Sequence, residues 1–214
     1  MVSLSFYAVY KKQWNLAGIF GGLAAFTRIA GALMLIPLAF VAWQAWKQGD
    51  RRGIFSIIWA TIGTALYPLY VWLFLHVPPK TILEVSSERG GSFTFPGINL
   101  IEATKKIFIG VLWEENLIEL TFTLFSIILT VYVWKKLPRM YGIYSVTLLI
   151  LFLTRLGNPQ PLVAMARYVI EIFPAFFILS IWGQNPLVHR LILYLAWLGL
   201  LFFSAQFAIW GWVG

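Results

Sequence analysis

The sequence predicts an all-α protein, a polytopic transmembrane helical bundle, on three observations. Its residues are 60% apolar and only 11% charged, with a mean hydropathy of +0.81, far from the balance of a water-soluble domain. The apolar residues come in runs broken by glycine, proline or charge, and the basic residues cluster at the ends of those runs. A span takes roughly 20 apolar residues, so 214 residues accommodate about six to seven membrane segments joined by short connections. Residues 1–214 read as a single membrane-embedded domain, with 77–117 as an external loop. The net charge of +8 does not point to nucleic acid, because the basic residues form no stripe interleaved with stacking aromatics. With no cysteine and only two histidines, His76 and His189, neither a thiolate nucleophile nor a Cys- or His-built metal site is expected.

The elements follow from the runs and their punctuation. Met1 to Tyr10 is apolar and is followed by Lys11-Lys12, the reverse of a signal peptide; it reads as the last half of a transmembrane helix ending at the cytoplasm. Trp14 to Thr27, holding Gly21-Gly22, and Ile29 to Trp46, kinked at Pro37, form a hairpin or re-entrant pair around Arg28. Ile54 to His76 is a full span stopped by Val77-Pro78-Pro79, since prolines remove donors and clash with a continuing helix. Leu117 to Trp134, Tyr141 to Thr154, Tyr168 to Trp182 and Leu191 to Trp210 complete the set, the shorter ones tilted or extended by their flanks.

Within the external segment, Ser86 to Ser92 is a flexible polar run and Phe93-Thr94-Phe95-Pro96 returns toward the membrane surface. Asn99 with Glu102 three residues later resembles a capping box. Leu100, Ile101, Thr104, Ile107, Phe108, Val111 and Leu112 then recur at helical spacing, which predicts a helix over 98–112 lying in the interface. Without further context it is a strut.

Alternating the spans places Lys11, Lys12, Lys47, Arg51, Arg52, Lys135, Lys136, Arg139 and Arg190 on one side, with Asp50 as the single acid there. By the excess of Lys and Arg on cytoplasmic loops, that side is cytoplasmic and the acid-rich 77–117 segment is extracytoplasmic. Trp46, Trp134, Trp210 and Trp212 sit where interfacial anchors are expected.

Three arginines near the external face carry the remaining chemistry. Arg28 lies between two apolar runs; Arg167 opens a span in Ala164-Met165-Ala166-Arg167-Tyr168, one turn before Glu171; Arg155 stands in the turn Arg155-Leu156-Gly157-Asn158-Pro159. A charge at the bilayer centre costs about 2.5 to 3.5 kcal/mol on insertion scales, so such groups pair, snorkel or serve a site. For Arg28 the bland reading is snorkelling, for Arg167 an i, i+4 pair with Glu171, and for Arg155 a solvated loop charge. A guanidinium stays charged and grips phosphate bidentately, so three of them near one face suit a phosphate at the lipid–water boundary.

The stretch Trp14-Asn15-Leu16-Ala17-Gly18 through Gly21-Gly22-Leu23-Ala24-Ala25-Phe26-Thr27-Arg28-Ile29-Ala30-Gly31 resembles the membrane glycosyltransferases of the GT-C type. Met165-Ala166-Arg167-Tyr168-Val169 with Phe173-Pro174, and Ala208-Ile209-Trp210-Gly211-Trp212-Val213, are similar to further motifs of the same group. The branch is the mannosyltransferase family that includes the second mannosyltransferase of GPI-anchor synthesis and its bacterial relatives. Arg89 and Pro96 fall where that family has an Arg and a Pro, although the family's Trp before the Arg is missing. The resemblance implies transfer of a hexose, mannose first, from a polyprenyl-phosphate-linked donor to an acceptor on the extracytoplasmic face, with no cofactor beyond that donor. Arg28, Arg167 and Tyr168 would hold the lipid phosphate, and Glu88, Arg89 and Arg155 are external candidates. Membrane lipid and the lipid-linked sugar are the implied partners.

The chain departs from the family in one respect that matters: its sole aspartate, Asp50, lies in a cytoplasmic loop, so the early external acid that serves as base has no counterpart. Glu88 as a replacement competes with a solvated loop charge. The resemblance begins partway into the family's length, which together with the half-helix at Met1 implies a C-terminal part, the N-terminal helices preceding it or supplied as a separate chain. The competing class is a non-enzymatic membrane protein, a transporter half or an assembly subunit. Paired broken helices in both halves would favour the first, and the Gly18 and Gly22 spacing the second.

Overall fold

Among the described residues, every regular element is helical apart from one pair of two-residue strands. The structure, a computed structural model, describes residues 1–78, 92–162 and 164–209. In chain order the α-helices are α1 (Val2–Tyr10), α2 (Trp14–Thr27), α3 (Leu35–Lys47), α4 (Ile54–Leu75), α5 (Ile98–Ile109), α6 (Trp113–Lys136), α7 (Arg139–Leu153), α8 (Met165–Val169), α9 (Pro174–Trp182) and α10 (Pro186–Ala208). Short 3-10 segments at Ile29–Met34 and Arg51–Gly53 lead into α3 and α4, and β1 (Ser92–Phe93) pairs with β2 (Arg155–Leu156). Among the described residues, four stretches are long and apolar enough to cross a membrane: Ala30–Lys47, Arg51–Leu75, Trp113–Lys136 and Pro186–Ala208; α2 and α7 are apolar but shorter. The fold is all-α, and these stretches are compatible with an integral membrane protein. Its described residues divide into two compact units, Met1–Ser92 with Pro138–Ile150, and Phe93–Leu137 with Leu151–Gly214.

In the first unit, α1 turns into α2 at Lys12, whose φ of 55° is left-handed. The buried Ser5 hydroxyl donates to Ala17 O at 2.6 Å across that turn. Small residues then let α2 and α4 touch backbone to backbone: a Cβ on Gly63 would lie 2.2 Å from Gly22 Cα, and one on Gly18 would lie 2.6 Å from Ser56 O. The Gly18 and Gly22 spacing therefore serves packing inside this chain. Pro37, where the sequence suggested a kinked or loosened run, falls in the first turn of α3, directly after the 3-10 segment, where a proline is tolerated. Pro68 instead lies inside α4. That helix stops at Leu75, with His76 left-handed at φ 53° ahead of the prolines. At the start of α2, Trp14 Nε1 donates to Asp50 Oδ2 at 2.8 Å, while Asp50 Oδ1 caps the following turn by accepting from Arg52 N at 3.0 Å.

In the second unit, α5 is helical over Ile98–Ile109, three residues short of the expected end at Leu112, and it lacks the capping box. Gly97 precedes the helix, and Asn99, already inside it and fully buried, turns its amide outward from the helix axis. Its Nδ2 donates to Phe152 O at 3.2 Å and Arg155 O at 2.9 Å, so Asn99 joins α5 to the end of α7. Thr94 N to Thr154 O (2.8 Å) and Gly97 N to Leu153 O (3.1 Å) complete that seam. The expected single span from Tyr168 to Trp182 is two helices: α8 ends at Val169 and α9 begins at Pro174. A proline at the first helical position starts a helix readily but cannot donate to residue 170. The last helix starts at Pro186, ahead of the expected Leu191, because Asn185 caps it by accepting from Leu187 N at 2.9 Å.

Candidate lipid-phosphate site

The arginines and tyrosine singled out in the sequence converge in part, and they do so within the second unit. Pairing of β2 with β1 brings Arg155 beside Phe93, with the guanidinium carbon 6.0 Å from the ring centroid. Arg155 Nη1 donates to Tyr168 Oη at 3.3 Å. Tyr168 in turn stacks on Phe152, with centroids 4.8 Å apart and planes within 12°. The Arg167 guanidinium lies 5.4 Å from the Tyr168 ring centroid, within range of a cation–π attraction. Arg155 is thus a half-buried member of this cluster, not the solvated loop charge that its turn-like sequence suggested. Lys106 on α5 donates to Pro159 O, in the loop that follows β2.

Next to the cluster lies a groove of about 450 Å³, lined by Phe122, Phe125 and Leu129 of α6, Val169 and Ile170 after Arg167, Phe176 and Leu179 of α9, and Phe203 of α10. Arg167 is the one charged residue of that lining. An apolar slot with a cation at its edge suits a molecule with a hydrocarbon tail and an anionic head, and two guanidiniums around one phenol supply charge-assisted donors for a phosphate.

Glu119 joins this site without belonging to any motif read from the sequence. It lies on α6, inside an apolar span, and is only 2% exposed. Its Oε2 accepts a hydrogen bond from Ala166 N at 2.9 Å, one residue before Arg167. A buried carboxylate in an apolar helix is costly unless it is paired and hydrogen-bonded. The signal was present in the sequence: Asn116, Glu119, Thr123, Ser126 and Thr130 recur at spacings of three and four, and all five are buried. That is one polar stripe on a hydrophobic helix. Thr123 Oγ1 donates back to Glu119 O at 2.7 Å and Ser126 Oγ to Thr123 O at 2.7 Å, which leaves Glu119 as the member of the stripe that reaches another helix.

Arg28 belongs to the first unit, exposed at the end of α2 in extended backbone (φ −152°, ψ 143°), with its carbonyl accepting from Gly31 N at 2.8 Å. Glu88 and Arg89, like Trp210 and Trp212, lie outside the described residues. Arg167 and Glu171 do not share one helix: α8 ends at Val169 and Glu171 falls in the turn beyond it. Compared with models of known protein families, with curated proteins and with solved structures, the chain shows no match.

Proposed function

We propose that this chain is part of a membrane glycosyltransferase of the GT-C type, holding the phosphate of a polyprenyl-phosphate-linked hexose, mannose first, for transfer to an acceptor hydroxyl on the extracytoplasmic face. In that reaction the acceptor oxygen attacks the anomeric carbon and the bond from that carbon to the phosphate oxygen breaks. The electron pair leaves on the phosphate, where fixed positive charge contributes most. The observation that carries the reading is the convergence of Arg155 and Arg167 on Tyr168 at the edge of an apolar groove. In this arrangement α5 lies in the membrane interface on the external side, presenting the exposed Ile101, Phe108 and Ile109 to the headgroup boundary. The clusters at 47–52 and 135–139 face the cytoplasm. Arg28 is a phosphate-contact candidate carried by the resemblance alone.

Binding of undecaprenyl phosphate to the purified chain in phosphatidylcholine nanodiscs tests this. Arg155→Ala and Arg167→Ala each remove a charge-assisted contact worth about 1.5–3 kcal/mol, so each is expected to weaken binding roughly 10- to 150-fold. Arg139→Ala, at the start of α7, is expected to leave binding unchanged. Equal affinity in the wild type and both site variants overturns the reading.

A further inference from the structure

We propose that Glu119 is a positioning residue of this site: its buried carboxylate holds the backbone at Ala166 and thereby sets the turn on which Arg167 and Tyr168 stand. The inference rests on the proposed phosphate site and assigns the part of it that lies inside the membrane span.

Helix α8 is weak by itself. Five residues, Met165–Val169, are too few to form a stable helix unaided, because nucleation costs more than so few hydrogen bonds return. The N–H groups of a first helical turn have no partner within the helix. Here Arg167 N and Tyr168 N donate to Ala164 O, at 3.1 and 3.0 Å, but Ala166 N lies ahead of any such acceptor. It donates instead to Glu119 Oε2 at 2.9 Å.

Ala164 adds a second, independent sign that this turn is held from outside. It is a buried alanine in the left-handed region, at φ 60° and ψ 27°, a conformation that costs a residue with a Cβ and persists only where surrounding contacts impose it. One contact that imposes it comes from a carboxylate anchored on a 24-residue helix, gripping the amide two residues along. Since Arg167 and Tyr168 are the next two residues, the carboxylate also sets where the guanidinium and the phenol are delivered.

Two variants separate position from charge. Glu119→Gln removes the charge and keeps an oxygen that can accept from Ala166 N, whereas Glu119→Asp keeps the charge on a side chain one methylene too short to reach. Undecaprenyl phosphate binding in phosphatidylcholine nanodiscs is measured alongside amide hydrogen exchange of the peptide covering 164–170, with peptides from α2 and α4 as a control of overall folding. A positioning role predicts that Glu119→Asp speeds exchange at 166–168 and weakens binding, each about tenfold, while Glu119→Gln stays within about threefold of wild type in both. The reverse order, or equal effects of the two variants, overturns it. So does faster exchange in Glu119→Asp with unchanged affinity. Wild-type protein that binds no undecaprenyl phosphate brings down the phosphate-site reading itself, and the positioning role with it. Normal wild-type binding that neither variant alters brings down the positioning role alone.

Discussion

Asp50 shows how a single side chain ties sequence-distant pieces together. Its carboxylate accepts from the Trp14 indole and from the Arg52 amide, joining the start of α2 to the turn ahead of α4. The Trp14 hydrogen bond, then the Arg52 amide, hold its pKa below the ordinary value of 3.8. A folded-state pKa lower than the unfolded one means that the charged form stabilises the fold: the contribution is complete above about pH 4 and is lost as pH falls through the folded value. Thermal unfolding in detergent is therefore expected to lose more stability between pH 5 and 3 in the wild type than in Asp50→Asn, whose side chain does not titrate. Matching pH profiles would show that this carboxylate contributes nothing measurable.

At the scale of elements, the α2–α4 crossing and α10 are opposite cases of glycine in a helix. Gly63 faces Gly22 so closely that a Cβ on it would sit 2.2 Å from Gly22 Cα and 2.5 Å from Gly22 C and O. The clash is with backbone, which cannot rotate away, so Gly63→Ala is expected to destabilise the protein by about 1–3 kcal/mol or to separate the two helices. Gly199 lies in α10 with nothing within 4 Å of its added Cβ. There alanine removes only the conformational cost of glycine, and Gly199→Ala is expected to stabilise by about 0.5–1 kcal/mol. Melting temperatures of the two variants moving in the same direction would contradict this account of the crossing. Helix α10 also has no buried residue along its length, and such a run of exposed Leu, Phe and Trp side chains is tolerable where the surrounding medium is lipid.

For the whole molecule, the four apolar stretches make membrane insertion the governing fact, because a backbone in hydrocarbon must satisfy its own hydrogen bonds and only helices of this length do so within one segment. The proposed orientation is testable because the chain has no cysteine. Single cysteines at Lys105 on α5 and Gln48 after α3 are expected to react oppositely with an impermeant thiol reagent applied to intact cells, Lys105→Cys labelled and Gln48→Cys protected. Labelling of Gln48→Cys alone would invert the assignment.

Membrane character and helical class were legible from the sequence alone, since burying apolar runs in lipid depends on composition and length more than on which helix meets which. The stop before Pro78 and a helix starting at Ile98 were legible for the same local reason: proline and helical spacing act on neighbouring residues, although the helix ends at Ile109 and not at the expected Leu112. The split at Pro174 was misread because a proline at a helix start and one inside a span look alike until the turn before it is seen. The role of Asn99 was misread too, because its partners, Phe152 O and Arg155 O, lie more than fifty residues away. Arg155 entered the cluster only through a two-residue strand pair, and Glu119, visible as one position of a polar stripe, acquired a meaning only when Ala166 was placed against it. The sequence by itself determined the solvent and the secondary structure, which follow from free energies summed over each segment. Tertiary structure alone decided which charged side chains meet, because that depends on contacts between residues that no local pattern relates.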